Sequence, residues 1–259
     1  MADSRLKIDI RRSRIMEYLR RDGKVLVSQL SRDLGATPVT IRSDLSALER
    51  DGYLIRIQGG ALRATAAPPS AAGTGRGQVA HAEEKQAIAA AVSAMISDGD
   101  TIFINSGTTT QFVASALHAH LHLKVVTNSL AVAMDLGTVP TFQVLLLGGG
   151  INTQYGFLSG TDAQAQLQRY QADWAILSVD GCSAEGGLTT YHAEEALLNA
   201  TMIQRAKRTL IVADHSKIGR TGFAHICEVG PSLTLVTDSR CSEEQTRRLT
   251  ECGLAVTTA

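Results

Sequence analysis

Three short runs of apolar residues at helical spacing open the chain, and each stops at a glycine: Ile8, Ile15 and Leu19 before Gly23; Leu30 and Leu34 before Gly35; Ile41, Leu45 and Leu48 before Gly52. Apolar positions recurring every three or four residues predict a helix with one buried face. Glycine supplies the left-handed residue that closes such a helix. Ser28 is the expected N-cap of the second helix, and Thr37 followed by Pro38 gives the third a cap and a proline in its first turn. Because so little chain separates the second and third helices, the pattern predicts a helix-turn-helix. From 53 to 63 the pattern changes to alternation broken by Gly59-Gly60, which predicts a β-hairpin wing.

Residues 64–80 contain Pro68-Pro69 and several glycines, with Val79 as their one large apolar side chain, and are expected to be a linker. Beyond them helical and strand patterns alternate. Ile88, Val92, Met95 and Ile96 give one helix face, and further helices are expected at 110–117, 130–136 and 192–207. Strands are expected at 101–104, 125–126, 142–147, 174–179, 209–213, 233–237 and 254–257. Such alternation predicts a mostly parallel sheet covered by helices, whose ligands sit beyond the carboxyl ends of the strands.

Composition adds one asymmetry. The net charge is zero, yet residues 1–63 carry 13 Lys and Arg against 8 Asp and Glu, while the remainder carries 12 against 17. A basic head on an acidic body suits a head that meets a polyanion. Cys182, Cys227, Cys241 and Cys252 form no C-x-x-C pair, so neither a zinc site nor a disulfide framework is expected. The first residues lack an apolar signal segment and no apolar run approaches the ~20 residues of a membrane span, so a cytoplasmic protein without membrane contact is expected.

The third helix carries the first candidate chemistry. With Ile41, Leu45 and Leu48 facing inward, Thr37, Pro38, Thr40, Arg42 and Ser43 remain on the open side near its N-terminus. Arginine reads guanine with two hydrogen bonds, and Thr and Ser reach phosphates or base edges, so these residues fit a major groove of double-stranded operator DNA. Arg56 and Arg63 on the wing, with Arg11, Arg12 and Arg14, are expected to add backbone contacts.

A second candidate lies in the larger region. Asn105, Ser106, Gly107, Thr108, Thr109 and Thr110 join a strand to a helix start, where hydroxyls and unpaired amides suit a phosphate. Other strand ends offer Asn128, the run from Gly148 through Gly149 to Gly150, and Lys217 after Asp214. Asp180, Glu185, Glu194 and Glu195 could accept from sugar hydroxyls, although any one of them taken alone reads first as a helix cap or surface charge. His192 and His215 fall near the same strand ends. His118, His120 and His122 alternate at a helix end with no carboxylate or cysteine beside them in sequence, and read as exposed loop histidines; no metal and no cofactor is expected.

Residues 11–62, with Thr37-Pro-Val-Thr-Ile-Arg-Ser-Asp-Leu45 followed by Gln58-Gly-Gly-Ala61, resemble the DNA-binding domain of the DeoR family of sugar-catabolism repressors. Residues 98–110, Thr127-Asn-Ser129, Gly148-Gly-Gly150 and Asp214-His-Ser-Lys217 resemble that family's sensor domain, so the likeness spans nearly the whole chain. Ala36-Thr37 and Ser43 depart from the family's usual Val-Ser and second Arg, which implies a different base preference. The resemblance implies an α/β protein with a winged helix-turn-helix over 1–63, a linker over 64–80, and an α/β effector domain over 81–259 resembling ribose-5-phosphate isomerase. It also points Asp180 and one of Glu194 and Glu195, here Glu195, toward a phosphorylated sugar.

Resemblance of fold leaves a sugar-phosphate isomerase as the alternative. Isomerisation needs a placed carboxylate and cations around an enediolate. Glu185-Gly186-Gly187 puts a negative charge where those isomerases have lysine, so no enzymatic activity is expected. A helix-turn-helix reads few base pairs, so a homo-oligomer, dimer or tetramer, is expected on repeated half-sites.

Overall fold

The computed structural model describes residues 2–50, 53–57, 59–63, 80–153 and 155–259. The chain divides into two compact units, the smaller ending before His81 and the larger running from His81 to Ala259. The predicted linker falls, apart from Ala80, outside the described residues.

The smaller unit comprises α1 (Ala2–Asp22), β1 (Lys24–Leu26), α2 (Val27–Asp33), α3 (Pro38–Arg50), β2 (Leu54–Ile57) and β3 (Gly60–Arg63). Of the apolar positions of the three helical patterns, Ile15, Leu19, Leu30, Ile41, Leu45 and Leu48 are buried, while Ile8 and Leu34 are half-buried. Gly23 and Gly35 end their helices with φ of 68° and 60°. Gly52 lies outside the described residues. Ser28 is not a cap: β1 runs straight into α2, Leu26 is the N-cap, and the Val27 amide donates to Gly59 O at 2.9 Å, leaving no place for a capping hydroxyl.

The predicted hairpin is β2 and β3, and β1 completes an antiparallel sheet in the order β1-β3-β2. The glycine pair has a distinct reason at each position. Gly59 turns with φ of 80°, and Gly60 admits β1, since a Cβ there would meet Val25 O at 2.0 Å.

The larger unit begins with α4 (Ala82–Ser93), β4 (Thr101–Ile104), α5 (Thr108–Leu117), β5 (Lys124–Thr127), α6 (Leu130–Leu136) and β6 (Gln143–Leu146). A hairpin of β7 (Gly150–Asn152) and β8 (Phe157–Ser159) leads into α7 (Thr161–Leu167) and β9 (Ala172–Ser178). Next come β10 (Gly181–Ser183), β11 (Gly187–Thr190), α8 (Ala193–Arg205) and β12 (Ala206–Val212). The last elements are β13 (Ala224–Cys227), β14 (Leu233–Thr237), α9 (Glu243–Glu251) and β15 (Ala255–Thr258). Seven of these strands make one all-parallel sheet in the order β15-β14-β12-β9-β4-β5-β6, and β10, β11 and β13 make a small antiparallel sheet.

Alternation along the strands sorts side chains onto two faces. Ile102, Ile104 and Ile176 pack with Ile88 of α4, Val113 of α5 and Val132 of α6. Phe103, Ala175 and Leu177 pack on the other face with Leu167 of α7, Met202 of α8 and Leu249 of α9. Each fully buried aliphatic side chain contributes roughly 1.5–3 kcal/mol, which fixes the register of the central strands. Strand order reverses between β4 and β9. In open α/β sheets the carboxyl ends of two such strands frame the ligand crevice.

Candidate functional site

At that reversal the turn after β4 meets the end of β9. Asn105 is fully buried and clamps the two strands: Oδ1 accepts from Ser178 N at 2.9 Å, and Nδ2 donates to Ser178 O at 2.9 Å and to Asn199 Oδ1 at 3.1 Å. Its amide is thus used inside the protein, a correction to its expected availability to a ligand. Ser178, absent from the sequence reading, also donates from Oγ to Ser106 O at 2.9 Å.

Gly107 caps α5 with φ of 154°, and a Cβ there would meet Ser178 Oγ at 2.0 Å. No side chain caps this helix, whereas α6 is capped by Ser129 and α9 by a Ser242–Gln245 capping box. The first amides of a helix lack intrahelical acceptors, so an uncapped N-terminus is a place for an anion. Thr108 is exposed at this end, Thr109 is buried, and Thr110 turns back to donate to Gly107 O at 3.0 Å.

The first turn of α8 gathers the other parts. Glu195 is 7% exposed, accepts a short hydrogen bond from Ser106 Oγ, and accepts from Thr190 Oγ1 at 3.2 Å. Burial is the main cause that pushes its carboxyl up to about 7; Asp180 adds to the rise, while the bonds from Ser106 and Thr190 oppose it. Asp180 Oδ2 accepts from Thr190 Oγ1 and Tyr191 N, both at 3.0 Å, and its Oδ1 lies 3.9 Å from Lys217 Nζ. Glu194 accepts from Ser159 of β8 at 2.6 Å, and the His192 ring lies 4.7 Å from Tyr155 and 5.3 Å from Phe157.

Asn128 and the glycine run belong to the β7-β8 side of this arrangement. Asn128 Nδ2 donates to Leu158 O at 3.3 Å, leaving its buried Oδ1 without a hydrogen-bond partner. Gly149, with φ of 133°, permits close approach of Ser159 O, and Gly150 starts β7. Glu185 stands apart, exposed and paired with Arg248.

Lys85, which sequence reasoning missed, is 5% exposed, and its Nζ lies 3.0 Å from Asp214 Oδ2. Burial would raise the Asp214 carboxyl, yet Lys85, the Ser216 amide and Lys217 together bring it down to about 2. A lysine one residue beyond two glutamates gave no sign that it faced the sheet. The loop histidines do have carboxylates nearby, contrary to the sequence reading: His118 lies 3.2 Å from Asp135, and His120 lies 3.4 Å from Asp98. Folding brings these acids in from α6 and from the loop before β4, and each histidine finds a different one.

Glu195→Gln isolates the buried carboxyl. A folded-state value raised from 4.5 to about 7 means a stabilising contribution present below pH 4.5 and lost as pH rises through 7. Urea titrations are expected to show wild type losing on the order of 3 kcal/mol relative to Glu195→Gln across that window. Parallel profiles would remove the assignment.

In the smaller unit, Thr37 Oγ1 accepts from Thr40 N at 3.2 Å, the expected cap of α3, and Pro38 follows it. Thr37, Pro38, Arg42 and Ser43 are exposed and Thr40 is half-buried. Arg56 differs from its expected role: Nη1 donates to Ser46 Oγ at 2.9 Å and Arg42 O at 3.2 Å, and Nε to Gly60 O at 3.3 Å, so it braces the wing on α3. Arg11 and Arg12 likewise turn to Asp44, which is 2% exposed, at 2.5 and 3.2 Å. Arg14 is exposed, and nothing is described of the Arg63 side chain.

Residues 11–67 match the profile of the DeoR-like helix-turn-helix domain and residues 80–239 that of the DeoR C terminal sensor domain. The HTH-type transcriptional repressor CsqR of Escherichia coli K12 is 34% identical over 88% of this chain and 87% of its own. The glycerol-3-phosphate regulon repressor of the same strain is 31% identical over 88% and 90%. Among solved structures, ribose 5-phosphate isomerase A of Methanocaldococcus jannaschii aligns with a TM-score of 0.40 and 15% identity over 53% of this chain and 54% of that one. No helix among the described residues is long and apolar enough to cross a membrane. The relatives are regulators rather than enzymes, both halves of the chain match one family, and the protein belongs to the DeoR family of transcriptional regulators.

Proposed function

We propose that this regulator represses a carbohydrate-catabolism operon in the cytoplasm and is released from its operator by a phosphorylated sugar bound in the larger unit. The observation that carries the reading is the uncapped N-terminus of α5 at the strand-order reversal, beside Asp180, Glu195 and Lys217. The amides of Thr108 to Thr110 suit the phosphate, Lys217 supplies a point charge, and the carboxylates accept from hydroxyls. The name of the glycerol-3-phosphate regulon repressor supports a phosphorylated effector. Ser106 to Thr110 act in this reading mainly through backbone, and Asn105 as the clamp that shapes the turn.

Ligand and operator select different states of the protein, so an effector that prefers the weak-binding state releases DNA. A homo-oligomer, dimer or tetramer, presents Thr37, Pro38, Thr40, Arg42 and Ser43 to successive half-sites. Fluorescence anisotropy of labelled operator, titrated with a panel of sugar monophosphates and the matching free sugars, tests the reading. Release by a phosphorylated member alone is expected; release by none, or equally by the free sugar, overturns it.

Arg42→Ala is expected to weaken operator binding by roughly 1–3 kcal/mol, about five- to 150-fold, and to relax preference at one base position, with effector affinity unchanged. Isothermal titration of the effector alongside anisotropy checks both halves; equal loss of both would argue against separate sites.

A further inference from the structure

We propose that His81, Glu84 and His215 bind a divalent transition-metal ion of the zinc class at the carboxyl edge of the large sheet. One donor atom from each residue lies within 4.8 Å of the other two. Zinc held at about 2.0–2.2 Å in a tetrahedron spaces its ligands by about 3.4 Å, so modest side-chain rotations close the set. Two imidazoles and one carboxylate are a donor combination that zinc accepts while keeping a position open.

The local structure prepares each ligand. His81 precedes α4, and Glu84 follows three residues later on the same face, its Oε1 3.8 Å from His81 Nδ1. His215 comes from the turn of 3-10 helix after β12, and its ring meets the His81 ring edge-on with centroids 4.8 Å apart. Asp238, 2% exposed at the end of β14, accepts from His215 N at 2.7 Å and from His215 Nδ1 at 2.9 Å. A carboxylate only accepts, so Nδ1 carries the proton and Nε2 the lone pair. Metal-binding histidines are characteristically oriented by such a carboxylate on the other nitrogen.

The charge balance favours a cation. Glu84 and Asp238 bring two negative charges against the guanidinium of Arg240, which lies 2.6 Å from Glu84 Oε1 and is 63% exposed. That guanidinium can turn to water, and the carboxylate has a second oxygen for the metal. Two of the four cysteines are poor competitors, because burial pushes the Cys182 thiol up to about 12 and the Cys227 thiol up to about 11. Occupation joins the start of α4 to the turn that carries Lys217, and this site stands whether or not the effector reading holds.

The test uses full-length protein with its affinity tag removed, stripped with chelator, dialysed, and titrated with Co²⁺ as a visible-absorbing zinc substitute. One Co²⁺ per chain with a d–d band, displaced by Zn²⁺, is expected, together with a higher Tm in Zn²⁺. His81→Ala and Glu84→Gln are each expected to weaken binding at least tenfold while far-UV circular dichroism is unchanged. A variant with Cys227, Cys241 and Cys252 replaced by serine is expected to bind as wild type does. Absence of a band, or a band undiminished in both His81→Ala and Glu84→Gln, overturns the proposal. His215→Ala adds a third arm, but the two variants at the start of α4 decide the matter even if that one fails to fold.

Discussion

Lys85→Met is expected to lower the stability of the larger unit by about 3–5 kcal/mol, the cost of leaving one member of a buried ion pair without its partner. Asp214 is only 1% exposed, and Lys85 lies 3.0 Å from it, so water cannot replace the lost ammonium without local opening. Methionine keeps the length and apolar stem of lysine, which confines the change to charge and hydrogen bonding. Adding Asp214→Asn removes the orphaned charge, and the double variant is expected to recover most of the loss. Urea unfolding of the two single variants and the double variant closes a cycle whose coupling energy is the quantity of interest. A loss below about 1 kcal/mol in Lys85→Met would mean that the pair behaves as a surface contact.

Gly107→Ala is expected to abolish the response to effector while operator binding persists. Its φ of 154° lies where side chains are rarely accommodated, and the new Cβ would sit 2.0 Å from Ser178 Oγ and 3.0 Å from Ser178 Cβ. Backbone strain and overpacking each cost ~1–3 kcal/mol, and relief requires moving either β9 or the amides at the head of α5. Either movement spoils the proposed anion site. Combining it with Ser178→Gly removes the clashing side chain and is expected to restore part of the stability but not the strained φ. Anisotropy with and without effector, alongside thermal unfolding, reads both effects. A stable Gly107→Ala protein with a normal response would take this turn out of the binding site.

The elements most legible in the sequence were those with several apolar residues in one period. β4 with Thr101–Ile104, α6 with Leu130–Leu136 and β14 with Leu233–Thr237 stand where the pattern puts them. α7 and α9 escaped because few of their residues enter the core: Ala163 and Leu167 in the first, Leu249 in the second. The strands of the β7-β8 hairpin and of the small sheet's β10 have three residues each, too few to show alternation.

At the candidate site the sequence indicated the turn but not the strand that faces it. Asn105 and Ser178 are 73 residues apart, and only the strand order makes them neighbours, turning an expected ligand contact into a clamp. Lys85 was equally hidden, since its partner Asp214 arrives from a different strand end. Arg56 was assigned by charge alone, and charge does not say whether a guanidinium points to solvent or back along its own wing.

The inward turn of those arginines bears on how operator affinity responds to ionic strength. Arg11 and Arg12 share the single carboxylate of Asp44, which offsets one of their two charges, and Arg56 is occupied with α3, so the three together are set to displace fewer counterions than their number suggests. The slope of log affinity against log salt follows phosphates contacted rather than basic residues present. A tally of arginines in the head would therefore overstate it, and base contacts would retain a larger share of the total as salt rises.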